Sequence, residues 1–146
     1  MGNQLVTQSN TTTVSANGFI VEATHVELAN WIFKSYPETT VHVQLQNQEL
    51  RTTYMNVLFM TIKTLYHKKN LSESELSKAS KDLSDLTQAG FKLDWLRSKL
   101  DKVSLEMKKR NDSEARIVEL EHKYNKLELM MSDLKVELRE KKAKFK

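Results

Sequence analysis

The chain has 146 residues, of which 29% are charged, with a mean hydropathy of -0.56, a net charge of +4 and a pI near 9.2. It holds no cysteine, which excludes a disulfide scaffold, a thiolate metal site and a cysteine nucleophile. The length suits one domain with an extension, and the mild positive balance falls short of the field of a dedicated nucleic-acid binder.

The opening stretch, MGNQLVTQSNTTT, lacks a basic segment followed by an apolar run. It does not read as a secretory signal, so the sequons at Asn10, Asn70 and Asn111 are expected to be silent. Gly2 is a poor acylation site, because Val6 stands where the pattern needs Ser or Thr. Residues 1–16 are rich in Thr, Asn and Ser and are expected to be disordered. The run Phe19-Ile20-Val21, after Gly18, is too short to assign.

Thr24-His25-Val26-Glu27 reads as a capping box, in which the Thr24 hydroxyl and the Glu27 carboxylate each take a free backbone N–H. The helix it opens places Leu28, Ala29, Ile32 and Phe33 on one face, and Pro37 stops it. Val41 to Leu45 alternates like a strand, but Val41 and Leu45 also fit a helix, and no second strand is apparent. From Leu50 the spacing is helical through Tyr54, Leu58, Ile62 and Leu65. Tyr54–Tyr66 is apolar nearly all round, as a central bundle helix would be, and is shorter than the ~20 apolar residues of a membrane span.

Leu71-Ser72-Glu73-Ser74-Glu75-Leu76 holds the sharpest local signal. Ser72 and Glu75 form a capping box, with Leu71 and Leu76 placed as a hydrophobic staple. Leu76, Ala79, Leu83 and Leu86 share the inner face. Gly90 is expected to end this helix at positive φ, with Phe91 folding back on Leu86, and Asp94 to open the next. After residue 20 the only helix breakers are Pro37 and Gly90, both at expected boundaries.

Apolar residues then recur at alternating three- and four-residue steps: Leu93, Leu96, Leu100, Val103 and Met107, and again Ile117, Leu120, Tyr124, Leu127, Met131, Leu134 and Leu138. This is the a/d pattern of a coiled coil. The two blocks are out of register. Counting from Leu93 as a puts Ile117 at d, whereas the second block requires Ile117 at a. The shift falls in Lys108–Ala115, and a weak joint is expected around Asn111–Ser113. If helical throughout, Leu93 to Leu138 spans roughly 70 Å. The first block is expected to pack within the domain and the second between chains.

The expected architecture is all-α: a disordered segment at 1–16, a helical bundle at 17–109, and a coiled-coil extension with a basic end at 110–146.

Three ordered stretches carry a resemblance. Asn17-Gly18-Phe19, the run from Asn47 through Arg51 to Asn56, and Ala89-Gly90-Phe91-Lys92-Leu93-Asp94-Trp95-Leu96 are similar to the C-terminal half of plant proteins that combine a MATH (meprin and TRAF homology) domain with a coiled coil. The likeness covers about residues 17–109, with a general coiled-coil likeness beyond. It departs from the family in lacking any segment able to form the MATH β-sandwich, so peptide binding by that domain is not carried over. The resemblance implies an interaction protein that self-associates or pairs with MATH and coiled-coil relatives. It also implies a link to plant antiviral defence, since some members restrict viral movement.

No enzyme chemistry is expected. His25, His42, His67 and His122 fall one per segment, without a metal-binding spacing, and incidental, solvent-facing histidines are the favoured reading. There is no glycine-rich phosphate loop and no G-x-S-x-G turn. The carboxylates interleave with cations at i,i+4: Glu106–Arg110, Glu119–Lys123, Glu137–Lys141 and Glu140–Lys144. No cofactor, no metal and no small-molecule substrate is expected. Trp31 and Trp95, with Phe33 and Phe91, are read as core rather than as a ligand pocket. Trp95 is expected to lock the base of the long helix.

The leading function is a non-enzymatic association module, cytoplasmic or nuclear, whose seam is Ile117, Leu120, Tyr124, Leu127, Met131, Leu134 and Leu138. The alternative is a basic helical protein binding nucleic acid or an acidic surface through Lys141 to Lys146. Glu137 and Glu140 dilute that cluster, which favours the first.

Overall fold

The computed structural model describes residues 5–8 and 11–145. Gly2, Asn10 and Lys146, and with them the acylation site, one sequon and the last basic residue, lie outside the described residues. In chain order the elements are β1 (Leu5–Gln8), β2 (Thr11–Ala16), β3 (Phe19–Glu22), a 3₁₀ turn (Ala23–His25), α1 (Val26–Ser35) and a second 3₁₀ turn (Pro37–Thr40). There follow α2 (Gln48–His67), α3 (Glu73–Gln88) and α4 (Asp94–Lys144). Contacts divide the chain into two units, Met1–Ser104 and Leu105–Lys146.

The first unit is not all-α. Strands β1, β2 and β3 form an antiparallel sheet in that order, with Leu5 opposite Val14 and Ala16 opposite Phe19. The described part of 1–16, expected to be disordered, is therefore strand. The cause is a two-residue hairpin. Asn17 and Gly18 both have positive φ, 49° and 81°, which is the type I′ geometry that Asn-Gly favours and that matches strand twist. Once the hairpin forms, the polar Thr-rich run alternates usefully. Val14, Ala16, Phe19 and Val21 are buried, while Ser15 and Glu22 face outward.

That sheet face meets α2, which also packs on α3. Met55, Leu58, Phe59, Ile62 and Leu65 of α2 are buried, as expected of a central helix. Leu50 is not; it lies one turn from the helix start and is 47% exposed. The start is set by Asn47, whose side-chain oxygen accepts from the Leu50 N–H at 3.1 Å. Val41 to Leu45 is neither strand nor helix; it crosses as an irregular segment, with the Gln44 N–H donating to the Ala89 carbonyl at 3.1 Å.

The Thr24–Glu27 capping box does not form. Ala23–His25 turns as a 3₁₀ segment, so Thr24 lies inside a turn instead of flanking one, and α1 starts at Val26 without a side-chain cap. The Ser72–Glu75 box does form, both halves of it. Leu71 is buried and Leu76 packs against the core. At the other end of α3 the Phe91 N–H donates to the Leu86 carbonyl and the Gly90 N–H to that of Thr87, each at 3.0 Å. These two bonds make the Schellman motif, with Gly90 at φ 103°.

Helix α4 is continuous for 51 residues, about 75 Å at the usual rise. The weak joint expected at Asn111–Ser113 is absent. A register shift moves the apolar stripe around the helix, but it removes no backbone hydrogen bond. Lys108–Ala115 contains no glycine or proline to break the ladder.

Candidate association surface

The three stretches that carry the family resemblance come together in space, and they hold the fold. The Arg51 guanidinium donates to the Leu45 carbonyl at 2.8 Å and to the Gly18 carbonyl at 3.3 Å. It lies 4.2 Å from the centre of the Phe19 ring, where a cation meets the electron-rich face. Phe19 in turn contacts Phe91, with ring centres 6.3 Å apart. One arginine thus ties the hairpin turn and the irregular segment to α2. A shallow groove lined by Val43, Gln44, Leu45, Gln48 and Arg51 lies beside it. The only charged group in that lining, Arg51, already donates to two backbone carbonyls.

The aromatic residues divide. Phe91 is buried and Phe33 packs partly against the core. Trp31, read as core, is 38% exposed. It meets Tyr36, Tyr66 and Trp95 edge-on at 5.7–5.9 Å, while Trp95 stacks flat on Tyr36 at 4.1 Å. The Trp95 N–H donates to the Thr39 hydroxyl at 3.2 Å, and the Thr39 hydroxyl donates to the Tyr36 carbonyl at 2.7 Å. Trp95 therefore fastens the start of α4 to the second 3₁₀ turn. Helical spacing links Trp31 to neither Tyr36 nor Tyr66, so these partners were invisible in it.

His25 is not incidental. Its ring packs on Phe59, with centres 4.8 Å apart, its Nε2 lies 3.0 Å from Lys63 Nζ, and its Nδ1 is buried without a partner. Burial and then the Lys63 charge hold its pKa below the ordinary value, against an opposing pull from Glu22. Among the described residues no three His, Asp or Glu cluster as a metal ion requires. Nor is any helix among them long and apolar enough to cross a membrane.

The remaining feature is the outer part of α4. On this one helix, Leu93, Leu96 and Leu100 are buried, and Val103 packs on the same core. Every seam residue from Ile117 to Leu138 is exposed, from 47% at Leu120 to 64% at Leu134. The same residue types at the same spacing are core in one stretch and bare in the other. Polar neighbours support the helix: Glu119 forms ion pairs with Arg116 and with Lys123, each at 3.2 Å. Full burial of each seam leucine would contribute about 1.5–3 kcal/mol, which a lone helix cannot realise.

No protein-family profile and no solved structure matches the chain. Curated relatives do. The chain is 41% identical over 133 residues to the MATH domain and coiled-coil domain-containing protein At2g42465 of Arabidopsis thaliana, covering 90% of this chain and 32% of the relative. To At2g42470 it is 41% identical over 120 residues, covering 82% and 40%. To At3g58250 it is 35% identical over 140 residues, covering 95% and 46%. The chain spans a third to just under half the length of these relatives.

Proposed function

Starting from the chain's homology to the plant MATH domain and coiled-coil domain-containing proteins, we propose that it is a non-enzymatic association module. One observation carries this reading: the seam Ile117, Leu120, Tyr124, Leu127, Met131, Leu134 and Leu138 is exposed along its whole length on a well-formed helix. Burial of that stripe against other helices is the activity, and the first unit is the body that it joins. The partners are further copies of this chain or relatives with the same coiled coil. We propose a cytoplasmic location and, on the family resemblance of its sequence alone, a link to plant antiviral defence.

The seam tolerates mixed pairing. Its a positions Tyr124 and Met131 are not the β-branched choice, and no a position from Ile117 to Leu138 holds Asn or Lys. Methionine adapts to differing partners.

Leu127→Asp tests the reading, because it sets a carboxylate in the middle of the stripe. Light scattering on the wild-type chain should give a multiple of the chain mass, and on the variant a single chain. An unchanged mass for Leu127→Asp would overturn the assignment of the seam. Co-expression with a tagged full-length relative, followed by pull-down, tests mixed pairing; recovery of homo-oligomers only would exclude it.

A further inference from the structure

We infer that the occupant of the exposed seam is a second copy of this chain, bound parallel and in register. The inference rests on the association reading and adds its geometry, which the charges flanking the seam specify. With Ile117 at a, the e positions are Glu121, Glu128, Lys135 and Lys142, and the g positions are Arg116, Lys123, Met130, Glu137 and Lys144, the last beyond any e residue of the second copy. In a parallel, in-register pair each g residue faces the e residue five places further along the other chain. Arg116 then meets Glu121 of the second copy, Lys123 meets Glu128, Met130 meets Lys135 and Glu137 meets Lys142. Three of these four contacts are attractive and none is repulsive, and two-fold symmetry repeats each of them.

Other arrangements are worse. In an antiparallel pair of full overlap, e faces e and g faces g. Glu121–Lys142, Glu128–Lys135 and Lys123–Glu137 remain attractive, but Arg116 meets Lys144, a repulsive contact that the parallel in-register pair lacks. A parallel pair slipped by one heptad sets Lys123 against Lys135 and Lys142 against Lys144, and leaves apolar layers uncovered at both ends. The d positions Leu120, Leu127 and Leu134 are all leucine, the residue that a parallel two-stranded seam takes there. Within the single chain, Arg116 and Lys123 both turn to Glu119, a residue off the seam. Glu121 and Glu128 form no ion pair among the described residues, so their carboxylates are open to a second copy.

Two charge-reversed full-length chains test this. One carries Glu121→Lys and Glu128→Lys, the other Arg116→Glu and Lys123→Glu. All four positions are exposed, and circular dichroism verifies that each chain stays helical. Parallel in-register pairing predicts that each variant alone loses its dimer, with dissociation at least tenfold easier by light scattering or sedimentation. It also predicts that an equimolar mixture regains the dimer, since every reversed g then faces a reversed e. An antiparallel pair gives no such rescue, because the reversed Glu121 and Glu128 positions would still face Lys142 and Lys135. Variants that dimerise alone as well as wild type, or a mixture that stays dissociated, overturn the inference while a dimeric wild type leaves the association reading standing. A wild-type chain that is monomeric at every concentration overturns both the inference and self-association.

Discussion

Gly90 shows how much one residue can settle. It sits at φ 103°, and a Cβ there would lie 2.1 Å from the His42 carbonyl oxygen, which belongs to backbone and cannot turn aside. Its positive φ is the helix-ending requirement legible in the sequence; the close approach of residue 42 is not. Gly90→Ala is expected to cost roughly 1–3 kcal/mol from backbone strain alone, and more from the clash, read as a lower denaturation midpoint. His25 makes a prediction of the other kind. Its pKa lies below the ordinary 6.5 in the folded chain. Between the two values the unfolded chain binds more protons, so stability rises with pH there. The contribution of the neutral ring is present above pH 6.5 and is lost as pH falls through the folded pKa. Urea midpoints taken from pH 7.5 down to 5.5 should decline for the wild type and decline less for His25→Phe. Equal slopes would remove His25 from the account.

Among the elements, the ends and the middles of helices make separable contributions. Ser72→Ala removes an exposed cap that satisfies the Glu75 N–H, and should destabilise by about 1 kcal/mol without altering packing. Leu58 is fully buried in α2, so Leu58→Ala should cost about 2–5 kcal/mol, as a cavity and a lost transfer gain together. If the two variants unfold with the same midpoint, α2 is not the central helix. The Ser72 box was readable because all of its parts lie within six residues and nothing distant competes. The Thr24 box failed because the chain leaving β3 enters a tight 3₁₀ turn there. The hairpin signal, Asn17-Gly18, was present in the sequence but flanked on one side by Thr and Ser runs that hide the alternation.

At the scale of the whole molecule, α4 belongs to both units, and its two stripes have different fates. Leu127→Asp lies in the second unit, outside the core cluster of the first. The variant that loses association should therefore keep the tertiary circular dichroism of Trp31 and Trp95 and the thermal transition of residues 1–104 at high dilution. A loss of that near-ultraviolet signal on dissociation would mean that the first unit depends on assembly.

Periodicity and local chemistry were enough to determine the helices α2, α3 and α4, the stop at Pro37, the cap at Ser72 and the Schellman turn at Gly90. Each of these depends on residues a few positions apart, whose geometry the helix itself fixes. The tertiary structure decided the rest. The three-stranded sheet is held because β3 packs on α2, some thirty residues further along the chain, and β2 on α1, which buries Val14, Ala16, Phe19 and Val21. Arg51 reaching Gly18, Trp95 joining Tyr36, and His25 settling on Phe59 are likewise long-range pairings that no local pattern encodes. Even the two apolar blocks of α4 are alike in one dimension. Only the fold shows that Leu93–Leu100 are covered by their own chain and Ile117–Leu138 are not, because burial depends on what stands opposite a side chain, and spacing along the chain does not record it.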